Sequence, residues 1–163
     1  MVEKNKERIA IYPGSFDPIT LGHMDILRDG AEMFDRVIIA IAKNPEKKSL
    51  LSIEERKKLI NDCIKGLKNV EADSFSGLTI DYAKQKGATV LLRGLRAVSD
   101  FEYEMQLSQN NRALSDDIKT VFLMTRPEYS FISSSSVKEI LHNKGDISKF
   151  VPEPVCKYLN SKF

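Results

Sequence analysis

The sequence predicts a single-domain α/β protein, residues 1–163, built on a Rossmann-like, doubly wound, five-stranded parallel sheet with helices on both faces. Three observations predict it. Short β-rich runs alternate with segments of helical period along the chain. One run, Arg36–Ala42 (RVIIAIA), is apolar throughout after its first residue, as in a strand buried on both faces. And 163 residues, 42% hydrophobic and 29% charged, suffice for one core but not for two ordinary ones.

Arg8–Tyr12 is a β-rich run stopped by Pro13-Gly14. Leu21, Met24, Leu27, Ala31 and Phe34 then fall at helical spacing, with Gly30 a weak point worth about 1 kcal/mol relative to alanine. After the Arg36–Ala42 strand, Ser52 and Glu55 form a capping box for a helix running to about Lys65. Val70–Phe75 is a weaker strand. Thr79–Lys86 is a short helix closed by Gly87, and Thr89–Leu92 is the fourth strand, followed by the loop Arg93-Gly94-Leu95-Arg96. Ser99 and Glu102 suggest a second capping box for a helix to about Ala113. Lys119–Met124 is the fifth strand, Ser136–His142 is helical, and a terminal helix covers about 151–160 with Pro152 and Pro154 in its first turn.

Composition excludes several classes. The net charge of +2 gives no dominant basic face, which argues against nucleic acid as a partner. No apolar run reaches spanning length and the charged start MVEKNKER lacks a leader's apolar core, so neither membrane nor secretion is expected. Cys63 and Cys156 have no metal-ligand spacing and read as buried thiols in a reducing cytoplasm. Neither a Walker A loop nor a G-x-G-x-x-G fingerprint is present.

In such sheets ligands sit outside the carboxyl ends of the strands, so those loops carry the functional reading. The first contains Gly14 and Ser15, then Gly22-His23 opening a helix, whose free N–H groups suit a phosphate. Taken alone, Gly22-His23 reads rather as a helix capped by Thr20 with His23 on the surface; its place between a strand end and a helix start is what favours a phosphate. The second loop carries Lys43, Lys47 and Lys48, flexible point charges that can reach phosphate or stay in solvent. Arg93 and Arg96 flank a glycine at the fourth strand end, where two guanidinium forks could grip phosphate oxygens. After the fifth strand, Ser133–Ser136 offers more hydroxyls at a helix start than a cap requires. Four of five strand ends are thus compatible with phosphate.

Three segments carry a resemblance: YPGSFDPITLGH (12–23), RGLR (93–96) with DFEYEMQ (100–106), and FISSS (131–135). Together they resemble bacterial phosphopantetheine adenylyltransferases, members of the nucleotidyltransferase superfamily marked by H/T-x-G-H. The likeness runs from Ile9 to Pro154. Ser15 stands where many relatives carry Thr, and Tyr129 where some carry Trp.

The resemblance implies transfer of AMP from ATP to 4′-phosphopantetheine, giving 3′-dephospho-coenzyme A and pyrophosphate with Mg²⁺ as cofactor. It also implies a homohexamer, and coenzyme A as feedback inhibitor. By analogy Ser15, Lys47, Thr79 and Arg93 bind the phosphopantetheine side. Ser15, Phe16, His23, Gly94, Leu95, Arg96, Glu104 and the run Tyr129, Ser130, Phe131, Ile132, Ser133, Ser134 and Ser135 bind ATP. His23, Lys47, Arg93 and Ser15 form the catalytic set, with no protein ligand for the metal; Glu104 would meet a ribose hydroxyl or a water on Mg²⁺. Because the attacking group is already an anionic phosphate, no protein nucleophile is needed. A related nucleotidyltransferase with another phosphate acceptor, or a non-catalytic nucleotide-binding module, are the alternatives. The roles of Lys43, Lys48 and Arg126 stay open.

Overall fold

The computed structural model describes residues 7–46 and 48–163. Five parallel strands, β1 (Ile9–Gly14), β2 (Arg36–Ala42), β3 (Val70–Phe75), β4 (Val90–Leu95) and β5 (Lys119–Met124), form one sheet in the order β3-β2-β1-β4-β5. The chain winds outward from β1 to β3, returns, and winds the other way through β4 to β5. The turning point lies between β1 and β4, where Ala10 pairs with Val90. This is the doubly wound parallel sheet the sequence predicts.

Alternation along each strand sends residues to two cores. Ala10, Tyr12, Val37, Ile39, Ile41 and Leu92 face α1 (Leu21–Met33), α2 (Ile53–Cys63), α5 (Ser134–His142) and α6 (Glu153–Lys162). Ile9, Ile11, Ile38, Ala40 and Leu91 face the other side, covered by α3 (Thr79–Gln85) and α4 (Val98–Leu114). Gly30 proves to be a packing requirement: a Cβ there would lie 2.5 Å from Leu92 Cδ2, so the helix accepts glycine to approach the sheet. Glu55 ties α6 to α2, accepting from the Tyr158 hydroxyl at 2.5 Å and from Lys162.

The structure corrects several boundaries. β4 does not stop at Leu92; Arg93, Gly94 and Leu95 continue it, paired with Phe122, Leu123 and Met124. A charged residue can extend this strand because Arg93 meets a carboxylate from α4. The capping box expected at Ser99 is absent. α4 starts at Val98 with Ala97 at its cap position, so Ser99 already lies inside the first turn and cannot cap it, while Asp100 accepts from the amide and guanidinium of Arg96. α5 begins two residues early, at Ser134, since Ser133 is its cap. The terminal helix runs Glu153–Lys162, its entry set by Pro152. A 3₁₀ turn at Pro127–Tyr129 was not expected. Cys63 and Cys156 are only half-buried, on helices that skirt the core's rim.

The two sheet edges differ. β3 carries Glu71 paired with Arg36, and Asp73 held by Lys86 and Tyr82. Such charges discourage edge pairing. Near β5 the surface is apolar: Val98, Phe101, Tyr103, Met105 and Leu114 of α4 and Met124 of β5 are exposed.

Candidate active site

Two cavities of about 260 Å³ each open at the carboxyl ends of the strands, beside the turning point between β1 and β4. They share Pro13, Gly14, Ser15, Arg93 and Glu104. The first extends toward α1, reaching Gly22, His23, Arg96, Thr125 and the Ile132–Ser134 segment. The second extends along α4 to Asn44, Thr79, Tyr103, Leu107, Ser108 and Asn111.

His23 is the third residue of α1, and its environment follows from helix capping. Thr20 Oγ1 accepts from the His23 amide at 3.3 Å, and the Thr20 amide donates to His23 Nδ1 at 3.0 Å. With Nδ1 an acceptor, the neutral ring carries its proton on Nε2, leaving that N–H as its free donor. Burial, then the charges of Arg96 and Arg93, pull its pKa from 6.5 down to about 4. Phe16 stacks edge-on against the imidazole at 5.0 Å and against Tyr12 at 5.2 Å. Phe16 itself adopts φ 45° and is 2% exposed. Its ring lies beneath Gly14, where a Cβ would stand 2.9 Å from Phe16 Cζ, so only glycine leaves room for this wedge.

Arg93 is gripped on three sides. Nε and Nη2 donate to Glu104 at 2.7 and 2.5 Å, and Nη1 donates to the Pro13 carbonyl at 2.7 Å. Its fork is thereby fixed at the wall common to both cavities, with one N–H on each Nη left over. Glu104 spends both oxygens on this grip. Arg96 donates to Asp100 and to the Ile132 carbonyl at 3.0 Å, closing the β4 end onto the start of α5.

The structure therefore brings Ser15, Phe16, His23, Arg93, Gly94, Arg96, Glu104, Ile132, Ser133 and Ser134 to the first cavity, and Ser15, Arg93 and Thr79 to the second. It does not bring Leu95, Tyr129, Ser130, Phe131 or Ser135 to either wall. Leu95 is turned into the protein, and Phe131 packs edge-on against Phe150 at 6.2 Å. Lys47 lies outside the described residues. Ser133 and Ser134 are committed in part, one capping α5 and the other donating to the Pro18 carbonyl at 2.8 Å.

Apart from Glu104, sequence reading missed the face of α4. Glu104, Leu107, Ser108 and Asn111 follow the spacing i, i+3, i+4, i+7, which marks one helix face. A search for apolar periodicity passes over it because the face is mixed. It also missed Asp17, whose buried carboxylate accepts from the amides of Leu50 and Leu51 at 2.8 and 2.9 Å. Arg56 completes that join by donating to the Ser15 carbonyl at 2.9 Å.

The nearby carboxylates are all engaged: Asp17 by amides, Asp100 by Arg96, Glu104 by Arg93. Among the described residues no three His, Cys, Asp or Glu side chains are grouped to hold a metal ion.

The pKa of His23 has a measurable consequence. An unfolded histidine takes up its proton near pH 6.5, whereas the folded ring resists until about pH 4. Stability should therefore fall as pH drops from 6.5 to 4, by on the order of 3 kcal/mol from this group. Denaturant titrations at pH 7 and pH 4.5 should show a smaller pH-dependent loss for His23→Gln than for the wild-type chain. Equal losses would mean the ring is not held neutral.

Comparison with known proteins bears on this geometry. A family profile described as cytidylyltransferase-like matches residues 11–140. A phosphopantetheine adenylyltransferase from Alkaliphilus metalliredigens is 52% identical over 155 residues, covering 95% of this chain and 99% of its own. One from Gloeothece citriformis is 56% identical over 149 residues, 91% of this chain and 95% of its own. Among solved structures, one from Vibrio parahaemolyticus, named a "putative nicotinate-nucleotide adenylyltransferase", superposes with a TM-score of 0.72 at 20% identity, over 95% of this chain and 99% of that one, and shares the fold.

Proposed function

The chain belongs to the phosphopantetheine adenylyltransferases of the cytidylyltransferase-like family, and on that premise we propose how its residues divide the reaction. The enzyme transfers AMP from ATP to 4′-phosphopantetheine, giving 3′-dephospho-coenzyme A and pyrophosphate, a step of coenzyme A biosynthesis. The observation that carries the division of roles is the pair of cavities meeting at Ser15 and Arg93. ATP takes the cavity beside α1, and phosphopantetheine takes the one along α4, where Thr79, Leu107 and Asn111 line its arm. The two phosphates meet at the shared wall.

In this arrangement an oxygen of the phosphopantetheine phosphate attacks the α-phosphorus of ATP, and the bond to the bridging oxygen of pyrophosphate breaks. His23 Nε2–H donates to the α-phosphate as charge gathers there, a donor that the neutral ring supplies because Nδ1 already accepts from the Thr20 amide. Arg93, held by Glu104 and Pro13, orients the attacking phosphate, and Lys47 adds a point charge to it. Ser15 aligns the two phosphates. Arg96 and the first turn of α5 hold the departing pyrophosphate. Glu104 acts by fixing Arg93 rather than by meeting ribose or metal. Mg²⁺ enters with ATP as part of the substrate and offsets charge on the leaving group.

A homo-oligomer such as a hexamer is supported by the exposed apolar side chains Val98, Phe101, Met105 and Leu114 of α4 and Met124 of β5, which a second copy could cover. Coenzyme A carries the same pantetheine arm and a nucleotide, so it competes across both cavities. No helix among the described residues is long and apolar enough to cross a membrane. A cytoplasmic setting accords with the two free thiols, Cys63 and Cys156.

The test is pyrophosphate release with MgATP and, separately, 4′-phosphopantetheine, nicotinamide mononucleotide or glycerol 3-phosphate. Release with phosphopantetheine alone is expected. Release with another acceptor would leave the fold and the His23 role standing and remove the assignment of the α4 cavity.

A further inference from the structure

Arg56, one turn into α2, is a buried cation to which the reaction above gives no part. It is 6% exposed, and its donors reach only neutral oxygens. Nε donates to the Leu51 carbonyl at 3.1 Å, Nη1 to the Ser15 carbonyl at 2.9 Å and Nη2 to the Ser49 hydroxyl at 3.2 Å. Among the described residues it pairs with no carboxylate. Asp17, which shares the join, is taken by the Leu50 and Leu51 amides and by Lys138 at 3.4 Å. Burying a charge without a counter-ion is costly, so its presence here needs a reason.

The reason lies one peptide away. Ser15 and Phe16 are joined by a planar trans bond, so the C=O and N–H of that peptide point in opposite directions. Arg56 grips the carbonyl from the side of α2 and lines neither cavity, whereas Ser15 and Phe16 both line the one beside α1. With the carbonyl drawn into the protein, the Phe16 N–H turns the other way. That amide meets no acceptor among the described residues. Phe16 also holds φ 45°, a region a bulky residue enters only where its surroundings impose it, and Arg56 fixes the carbonyl just before that turn. The Phe16 ring packs on His23 at 5.0 Å, so the amide and the imidazole belong to one wall.

We propose that Arg56 is a positioning residue for the phosphate under attack: by holding the Ser15 carbonyl it aims the Phe16 N–H into the cavity beside α1 and strengthens it as a donor. A cation on the carbonyl polarises the peptide, and hydrogen bonds in a chain reinforce one another. An α-phosphate on the N–H then supplies the anion that Arg56 lacks. Arg56 itself touches neither substrate. The inference rests on ATP occupying this cavity, as proposed above.

The test is pyrophosphate release by the full-length enzyme, with melting temperatures taken on the same preparations. Arg56→Met, of similar length but neutral, is expected to lower kcat about 10- to 50-fold and to leave the KM for phosphopantetheine within about threefold. Arg56→Lys, which returns a charge to the Ser15 carbonyl, should bring kcat back to within about fivefold of wild type. Ile60→Ala loosens the same helix from the core without touching Ser15. It should lower the melting temperature and hold kcat within about twofold. A kcat within about twofold of wild type in Arg56→Met overturns the proposal. So does a loss in Ile60→Ala as large as that in Arg56→Met, which would assign the effect to loosening of α2. Should Arg56→Met fail to fold, amide NMR of the wild-type enzyme carrying isotopically labelled phenylalanine decides. The Phe16 amide proton should move downfield as MgATP saturates the site, and a proton that stays in place overturns the proposal. A wild-type enzyme that binds no ATP would overturn the placement of ATP, and this inference with it, a failure distinct from that of the Arg56 variants.

Discussion

Replacing His23 with alanine is expected to cut kcat about 10²- to 10³-fold while ATP affinity changes little. That magnitude is typical of removing one donor aimed at developing charge. The imidazole is positioned before substrate arrives: Nδ1 is occupied by the Thr20 amide, Phe16 packs its face, and burial with two nearby guanidinium groups keeps it uncharged. A neutral donor binds ground-state ATP weakly, so its contribution appears in turnover. Single-turnover rates and equilibrium ATP binding, measured on the same preparation, separate the two effects. Equal losses in both would assign His23 to binding. Because the ring titrates near pH 4, the wild-type kcat should also show no inflection from this group between pH 6 and 9.

Arg93→Ala should raise the KM for phosphopantetheine about 10- to 100-fold, and that for ATP much less, the range expected for one charged hydrogen bond to phosphate. It should also destabilise the fold by about 3–5 kcal/mol, because Glu104, with its side chain 10% exposed, would keep a buried charge without its partner. The two effects can be parted. The double variant Arg93→Met, Glu104→Leu removes both charges and should recover most of the thermal stability, while the KM for phosphopantetheine stays high. Recovery of the KM along with stability would show that Arg93 serves the fold alone. A larger rise for ATP than for phosphopantetheine would exchange the two halves of the site.

Much of this architecture is legible in the sequence, and the exceptions have physical causes. The bounds of β2, β3 and β5 follow from the residues themselves. The end of β4 does not, because reading stops at a charge, and only the folded chain supplies Glu104 to neutralise it. Ser99 and Glu102 look like a capping box, but the folded helix starts earlier, at Val98, with Ala97 in the cap position. At the site, the strand-end rule finds Ser15, His23, Arg93 and Arg96 because each follows an apolar run. It cannot find Asn111 or Arg56, which lie on helices whose sequence neighbours are ordinary. Arg126 could not be placed for the same reason: its partner, Asp25, is 101 residues away.

The capping box of α1 ties two selective pressures to one position. The Thr20 amide needs an acceptor if the helix is to begin there, and His23 Nδ1 is that acceptor. The hydrogen bond that starts the helix therefore also selects the tautomer that donates to substrate. A lineage drifting away from histidine here loses helix stability together with turnover, so inactive descendants are removed twice over. Glutamine, one nucleotide from either histidine codon, is the exception. Its carbonyl can take the Thr20 amide as in an ordinary box, but it has no rigid ring to present an N–H on the opposite side. A chain of this fold with glutamine at position 23 would be a folded descendant that has given up the chemistry.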